Sequence, residues 1–225
     1  MQQGKLIIIE SGTDASGKAT QTQRLYDRLV SEGYKVRKIT YPNYESPACM
    51  PVKMYLNGDF GSKPDDVNAY AASTFYAIDR FASYKTDWKE FYDNGGVILS
   101  DRYTTSNMVH QAVKMEKEDR DQYLEWLYNL EFDLYGLPKP DCVIFLDMSP
   151  EMSQKLMAKR KNKFTGEDEK DIHESNKDYL VNCYNNALEI ASRYEWQRVC
   201  CNDGDTLRTI EDINDEIYTT IKKYI

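Results

Sequence analysis

Gly12, Gly17 and Lys18 stand at the GxxxxGK spacing of a phosphate-binding loop, inside the stretch IIIESGTDASGKATQTQRL over residues 7–25. Small residues in such a loop let successive backbone N–H groups face an anion at a helix N-terminus, and the lysine adds a point charge. The expected phosphate cradle is Gly12, Thr13, Asp14, Ala15, Ser16, Gly17, Lys18, Ala19 and Thr20. Ala19 stands where the pattern wants a Ser or Thr hydroxyl for Mg²⁺. Further along, Ser100-Asp101-Arg102-Tyr103 closes an apolar run. A carboxylate beside a phosphate loop can hold the water shell of Mg²⁺, and an adjacent arginine can grip a phosphate bidentately.

Positioning those residues requires an alternation of strands and helices. Apolar runs at residues 6–9, 36–40, 96–100, 142–146 and 198–201 read as five strands, separated by stretches of helical periodicity. The expected fold is α/β, a P-loop NTPase-type five-stranded parallel sheet with helices on both faces, forming a single domain over residues 1–225. Val67, Tyr70, Ala71, Phe75, Ile78 and Ala82 keep three-and-four spacing, as do Ile210, Ile213, Ile217 and Ile221. Both stripes read as core-facing. Ligands of parallel sheets sit at the carboxyl ends of the strands, so the residues just after each strand carry the most information.

Composition excludes several classes. A formal charge of -8 opposes nonspecific nucleic-acid binding, so polyphosphate must be held by a local basic cluster. Five cysteines without CxxC spacing point to reduced thiols rather than a zinc site, and only two histidines, His110 and His173, leave no histidine-based constellation. No apolar run approaches the roughly 18 residues that span a bilayer, so a cytoplasmic protein is expected. Asp59-Phe60-Gly61 spells a protein-kinase motif without its companions and reads as a turn, and His173-Glu174 lacks the second histidine of a zincin.

Six segments in order, GTDASGKATQ, YPNY, YLNGDFG, TFYAIDR, DRYTTSN and GLPKPD, resemble the thymidylate kinases, the dTMP-phosphorylating branch of the nucleoside monophosphate kinases. The resemblance spans roughly residues 6–191. It implies transfer of the γ-phosphoryl of ATP to dTMP with Mg²⁺, and a homodimer formed through helices. It implies Lys18, Arg102, Asp14 and Arg160 as catalytic residues, the last in a lid over about residues 159–171 that opens with Lys159-Arg160-Lys161-Asn162-Lys163. Tyr76 falls where the family stacks an aromatic ring on thymine, and Arg80 where it hydrogen-bonds the base. Ser106 and Asn107 match positions facing the base, Arg102 matches the acceptor-phosphate ligand, and Asp14 matches a carboxylate near the sugar's 3′-hydroxyl. Tyr41, Pro42, Tyr44 and His110 complete the implied acceptor site, while Asp14, Asp101 and Glu174 are the implied metal residues, Asp171 being a further acidic position just after the lid.

Because the acceptor oxygen of a monophosphate is already anionic, such a reaction needs positioning and charge neutralisation more than a strong base. Three positions depart from the family pattern: Ala19, the pair Asn43-Tyr44 where many relatives carry an arginine, and an extra Ser11 between Glu10 and Gly12. Three other readings remain open at this point, the first being a nucleoside monophosphate kinase with another acceptor. A deoxynucleoside kinase shares the P-loop and the Asp-Arg pair but needs a carboxylate base after the second strand, for which Glu45 is the available residue. An inactive nucleotide-binding homologue would explain Ala19 and the missing arginine.

Overall fold

The five apolar runs become five parallel strands because each is short, β-branched and flanked by turn residues. In the computed structural model, residues 3–157, 177–204 and 206–225 are described. The expected lid at 159–171, with Arg160 and Asp171, and Glu174 beyond it, lies outside the described residues. In chain order the main elements are β1 (Lys5–Glu10), α1 (Lys18–Ser31), β2 (Val36–Thr40), α2 (Met50–Leu56), α3 (Ala69–Ser83) and α4 (Lys89–Asp93). They continue with β3 (Val97–Asp101), α5 (Thr104–His110), α6 (Arg120–Tyr128), β4 (Cys142–Asp147), α7 (Pro150–Met157) and α8 (Lys177–Arg193). The chain closes with β5 (Gln197–Cys200), β6 (Asn202–Asp203), β7 (Thr206–Leu207) and α9 (Ile210–Ile221).

The sheet runs β2-β3-β1-β4-β5, with every neighbouring pair parallel. β6 and β7, which the sequence reading did not anticipate, form a separate antiparallel pair. Side chains alternate along β1: Ile7 and Ile9 pack with Leu25 and Leu29 of α1 and with Ile213, Ile217 and Ile221 of α9. Leu6 and Ile8 pack on the opposite face against Tyr84, Trp88 and Tyr92. Burial on both faces is why the strand reads as an unbroken apolar run. No helix of the described residues is long and apolar enough to cross a membrane. The Asp59-Phe60-Gly61 segment is a turn, with Asp59 N–H donating to the Met54 carbonyl.

One expectation about α3 is corrected. Its buried face is Ala69, Ala72, Ser73, Ala77, Asp79, Arg80 and Ser83, small or polar throughout. Of the apolar stripe read as core-facing, Val67 is buried, but Tyr70, Ala71, Phe75 and Ala82 are only partly so and Ile78 is 39% exposed. The physical reason is that α3 turns its inward side to a polar network and a cavity. The bulk facing the sheet comes instead from Tyr84 and Trp88 in the π-helical turn Tyr84–Trp88 that follows. The α9 stripe behaves as expected apart from Ile210, which is 44% exposed.

Candidate functional site

The loop after β1 is shaped by two glycines for two different reasons. Gly17, at φ 89, supplies the left-handed backbone that starts α1, and a Cβ there would meet open space. Gly12 is needed for close packing, since a Cβ would come within 2.7 Å of Ala187 Cβ and 3.0 Å of Tyr184 Cα on α8. The extra Ser11 is buried and folds into the loop: its N–H donates to Glu10 Oε1 at 2.9 Å, and its Oγ accepts Thr13 N–H at 3.2 Å. Thr13 Oγ1 in turn donates to the Met148 carbonyl beyond β4, at 3.3 Å. Ala19 is exposed and Thr20 half-buried on the first turn of α1.

Lys18 is buried with Nζ donating to the Thr13 carbonyl at 3.0 Å and to Ser16 Oγ at 3.4 Å. Burial, reinforced by the nearby Arg102 guanidinium, pulls its ammonium down from 10.5 to about 8. An anion entering the loop would relieve both effects. Arg102 follows β3 in a left-handed conformation, φ 68, that only glycine adopts without cost. Its N–H bonds the Ile9 carbonyl, Nη2 donates to Asp14 Oδ1 at 2.8 Å, and Nη1 lies 3.1 Å from His110 Nε2. Arginine only donates, so that His110 nitrogen accepts. Although burial opposes its charge, Asp14, Glu10 and Asp101 hold the Arg102 guanidinium above its ordinary value.

Every residue implied for the acceptor site lines one cavity: Asp14, Tyr41, Pro42, Tyr44, Tyr76, Arg80, Arg102, Ser106, Asn107 and His110. A cis peptide joins Tyr41 to Pro42 in its wall. Leu56 and Tyr103, inside two of the resembling segments, and Gln111, Tyr179 and Leu180, outside all of them, also line it. Ser106 and Asn107 line this cavity, and each also reaches a neighbouring protein group. Ser106 Oγ donates to Glu10 Oε2 at 2.6 Å, alongside Thr105 Oγ1 at 2.8 Å, and Asn107 Nδ2 donates to the Ser73 carbonyl at 3.3 Å. Hydroxyls and amides this close to buried acceptors satisfy those first.

Arg80 holds the residue that sequence reasoning missed. Its Nε donates to Glu131 Oε2 at 2.7 Å and its Nη2 to Glu131 Oε1 at 2.5 Å, with the two side chains 1% and 0% exposed. Thr104 Oγ1 donates to the same carboxylate at 2.7 Å, and Arg80 Nη1 reaches the Tyr103 carbonyl at 3.4 Å. Burial works against the Arg80 charge and Glu131 more than restores it, raising the guanidinium above its ordinary value. A bidentate pair fixes the plane of the guanidinium, so Arg80 is aimed before any ligand arrives. Glu131 had one mark in the sequence, a carboxylate between Leu130 and Phe132, and it lies in a π-helical turn, Asn129–Leu134.

Among the described residues no group of three or more His, Cys, Asp and Glu side chains is gathered to hold a metal. Asp14, Glu10 and Asp101 all act electrostatically on Lys18 and Arg102, and Glu10 is also hydrogen-bonded by Ser11, Thr105 and Ser106. Two hard carboxylates beside a phosphate loop fit Mg²⁺, which keeps several waters and takes its other ligands from phosphate.

A parallel sheet with a phosphate loop after β1 and an arginine-lined cavity beyond β3 defines a P-loop phosphotransferase of the nucleotide-kinase class. Residues 9–217 match the family model described as Thymidylate kinase. The chain belongs to the thymidylate kinase family. It is 32% identical over 151 residues to the thymidylate kinase of Mycobacterium tuberculosis (strain CDC 1551 / Oshkosh), covering 66% of this chain and 68% of that protein. With the thymidylate kinase of Caldicellulosiruptor saccharolyticus the identity is 26% over 218 residues, 97% of this chain and 96% of the other. The solved thymidylate kinase of Candida albicans shares the fold at a TM-score of 0.73 and 22% identity, covering 98% of this chain and 92% of that one. The family match runs past residue 191, where the motif resemblance stopped, and takes in most of α9.

Proposed function

We propose that this chain, as one domain, transfers the γ-phosphoryl of ATP to the 5′-phosphate of dTMP, giving ADP and dTDP. The observation that carries the reading is Arg102, bonded at once to Asp14 of the phosphate loop and to His110 of the cavity. That arginine joins the donor loop to the acceptor cavity, so one guanidinium can neutralise charge where phosphate meets phosphate. Lys18 and the loop N–H groups hold the ATP phosphates, with Thr20 reaching the α-phosphate. Arg102 holds the acceptor phosphate, Asp14 the sugar hydroxyl, Tyr76 the base face and Arg80 a base carbonyl. Arg160 brings a further positive charge from the lid. Asp14, Asp101 and Glu174 are the residues that would hold Mg²⁺, which when bound would supply charge neutralisation at the phosphates. No general base is required, and Glu45, the carboxylate a deoxynucleoside kinase would need, is exposed and absent from the cavity wall.

An ADP-release assay with ATP, Mg²⁺ and a panel of nucleoside monophosphates, with Lys18→Ala as control, tests the reading. Turnover with dTMP that is lost in Lys18→Ala supports it. Turnover of UMP or AMP without dTMP, or of thymidine alone, overturns it, and ATP binding without ADP release under any condition would make the chain an inactive homologue.

We further propose a homodimer in the cytoplasm. The outward apolar stripe of α3, with Phe75, Ala82 and the exposed Ile78, is a face that a second copy would cover, and Phe81 on the same helix packs on Tyr135 beside Leu134, 70% exposed. All five cysteines are free, which suits a reducing compartment. Sedimentation at micromolar concentration is expected to give a dimer that Ile78→Glu splits; a wild-type monomer refutes it.

A further inference from the structure

Burial pulls two lysines of the described residues down to about 8, Lys18 in the phosphate loop and Lys114, which the phosphoryl transfer does not use. Lys114 closes the short helical turn Ala112–Lys114 that follows α5, outside the cavity wall. Its Nζ donates to Tyr55 Oη at 2.7 Å and to the Val67 carbonyl at 2.9 Å, and lies 4.9 Å from the centre of the Tyr55 ring. Asp65 and Cys183 favour its charge, but less than burial opposes it. A half-buried ammonium held by neutral oxygens adds little stability, and what it fixes is geometry. We infer that Lys114 is a positioning residue for the acceptor: by clamping Tyr55 and the Val67 carbonyl, it holds the Tyr76 ring at the angle on which the base stacks. This inference rests on the dTMP kinase reading and adds to it the support behind the stacking ring.

The two oxygens that Lys114 grips belong to the two elements that build the base end. Tyr55 lies in the last turn of α2, directly before Leu56 of the cavity wall. Val67 directly precedes Asn68, whose side chain caps α3 by accepting the Ala71 N–H at 2.9 Å. Tyr55 Oη also donates to the Pro64 carbonyl at 3.4 Å, within the loop that joins the two helices. Lys114 stands 59 residues from Tyr55 and 47 from Val67 in sequence. One ammonium therefore ties the end of α2 and the start of α3 to the turn after α5.

The link to the base runs through Tyr55. Its ring, 1% exposed, meets the Tyr76 ring edge-on, with centroids 6.5 Å apart and planes at 89°, and stands 6.5 Å from Phe75. Tyr55, Val67 and Ala72 form one buried cluster on which Leu56, Ala71, Phe75 and Tyr76 pack. In an edge-to-face pair the positive edge of one ring meets the negative face of the other, so each ring sets the inclination of its partner. The Lys114 ammonium holds Tyr55 by its hydroxyl and by its ring face together. Glu131 aims Arg80, and Lys114 aims Tyr76 through Tyr55 without lining the cavity itself.

Steady-state kinetics on the full chain carrying Lys114→Met, Tyr55→Phe and Tyr76→Leu, singly and combined, test this. Lys114→Met is expected to raise KM for dTMP by about three- to fivefold, while kcat and KM for ATP stay within about 1.5-fold. Tyr55→Phe keeps the ring and drops the clamped hydroxyl, and is expected to raise KM for dTMP by about two- to threefold. In the Tyr76→Leu background, where the ring is gone, either substitution should add less than about 1.5-fold. An unchanged KM for ATP shows that each variant is folded, and Tyr55→Phe decides alone if Lys114→Met does not fold. Equal rises in KM for dTMP and ATP would overturn the inference by making Lys114 a general support of the fold. Full additivity with Tyr76→Leu, or an unchanged KM for dTMP in a folded variant, would overturn it too. A wild-type chain inert toward dTMP would instead overturn the kinase reading itself.

Discussion

The two ends of the cavity each pair an arginine with a carboxylate, and they do so in opposite regimes. At the phosphate end Arg102 meets Asp14 with side chains 23% and 24% exposed, in company with Lys18, Asp101 and Glu10. At the base end Arg80 meets Glu131 with both side chains shut away from solvent and a threonine hydroxyl bound to the same carboxylate. Phosphate arrives with several negative charges, so the first end benefits from positive charge that is only loosely neutralised beforehand. A base is neutral and is told apart by direction, so the second end benefits from a guanidinium that cannot turn. Loose charge serves affinity for anions; buried charge serves aim.

Breaking the buried end should cost the most stability. Glu131→Ala leaves Arg80 buried and unpaired and is expected to lower unfolding stability by about 3–5 kcal/mol in urea titrations. Glu131→Ala combined with Arg80→Met should recover a large part of that loss without recovering preference for dTMP. Recovery of both would mean that Arg80 does not read the base.

At the other end the expected loss is in rate. Lys18→Met should reduce kcat by about 10²–10³-fold in the ADP-release assay while making the ligand-free protein more stable at neutral pH. The sign follows from its depressed ammonium, about 8 when folded against an ordinary 10.5. Between those values the unfolded chain binds more protons, so stability should rise as pH climbs from about 8 towards 10.5, by roughly 3 kcal/mol at most. Below about 8 the folded state bears the whole cost. Burial lowers Lys114 to about 8 as well and adds a second slope over the same window, so melting temperatures from pH 7 to 10 should show the wild-type slope roughly halved in Lys18→Met, and an undiminished slope would sink the assignment.

Smaller effects sharpen the same contrast. Tyr76→Leu removes the stacking face and should raise KM for dTMP by roughly tenfold, with KM for ATP unchanged. Asp14→Asn should shift unfolding stability by under about 1 kcal/mol, because a partly exposed pair contributes little. A stability loss matching that of Glu131→Ala would erase the distinction between the two ends.

Legibility in the sequence followed the same division. The phosphate end was readable because Gly12, Gly17 and Lys18 act through contiguous backbone, and Arg102 directly follows a strand. At the base end Tyr76 and Arg80 were reachable through a motif, but Glu131, 51 residues from Arg80, was not. The stripe on α3 misled because periodicity marks the apolar side of a helix, and here the inward side is the polar one that builds the cavity. Ser106 and Asn107 were found as wall residues, yet their hydrogen bonds to Glu10 and the Ser73 carbonyl were not foreseeable from spacing.

By itself, then, the amino-acid sequence determined the strand runs, the phosphate loop and its departures, and the family, since each rests on residues that are neighbours along the chain. Only the tertiary structure decided which polar groups are sealed in pairs and which are buried without a hydrogen-bond partner. Burial and partner choice depend on how α3, α5 and the turn carrying Glu131 pack together, and no local spacing encodes that packing. Gln111 shows the difference most plainly: an ordinary glutamine in the sequence, it becomes an unsatisfied acceptor in the cavity wall once the fold has closed around it.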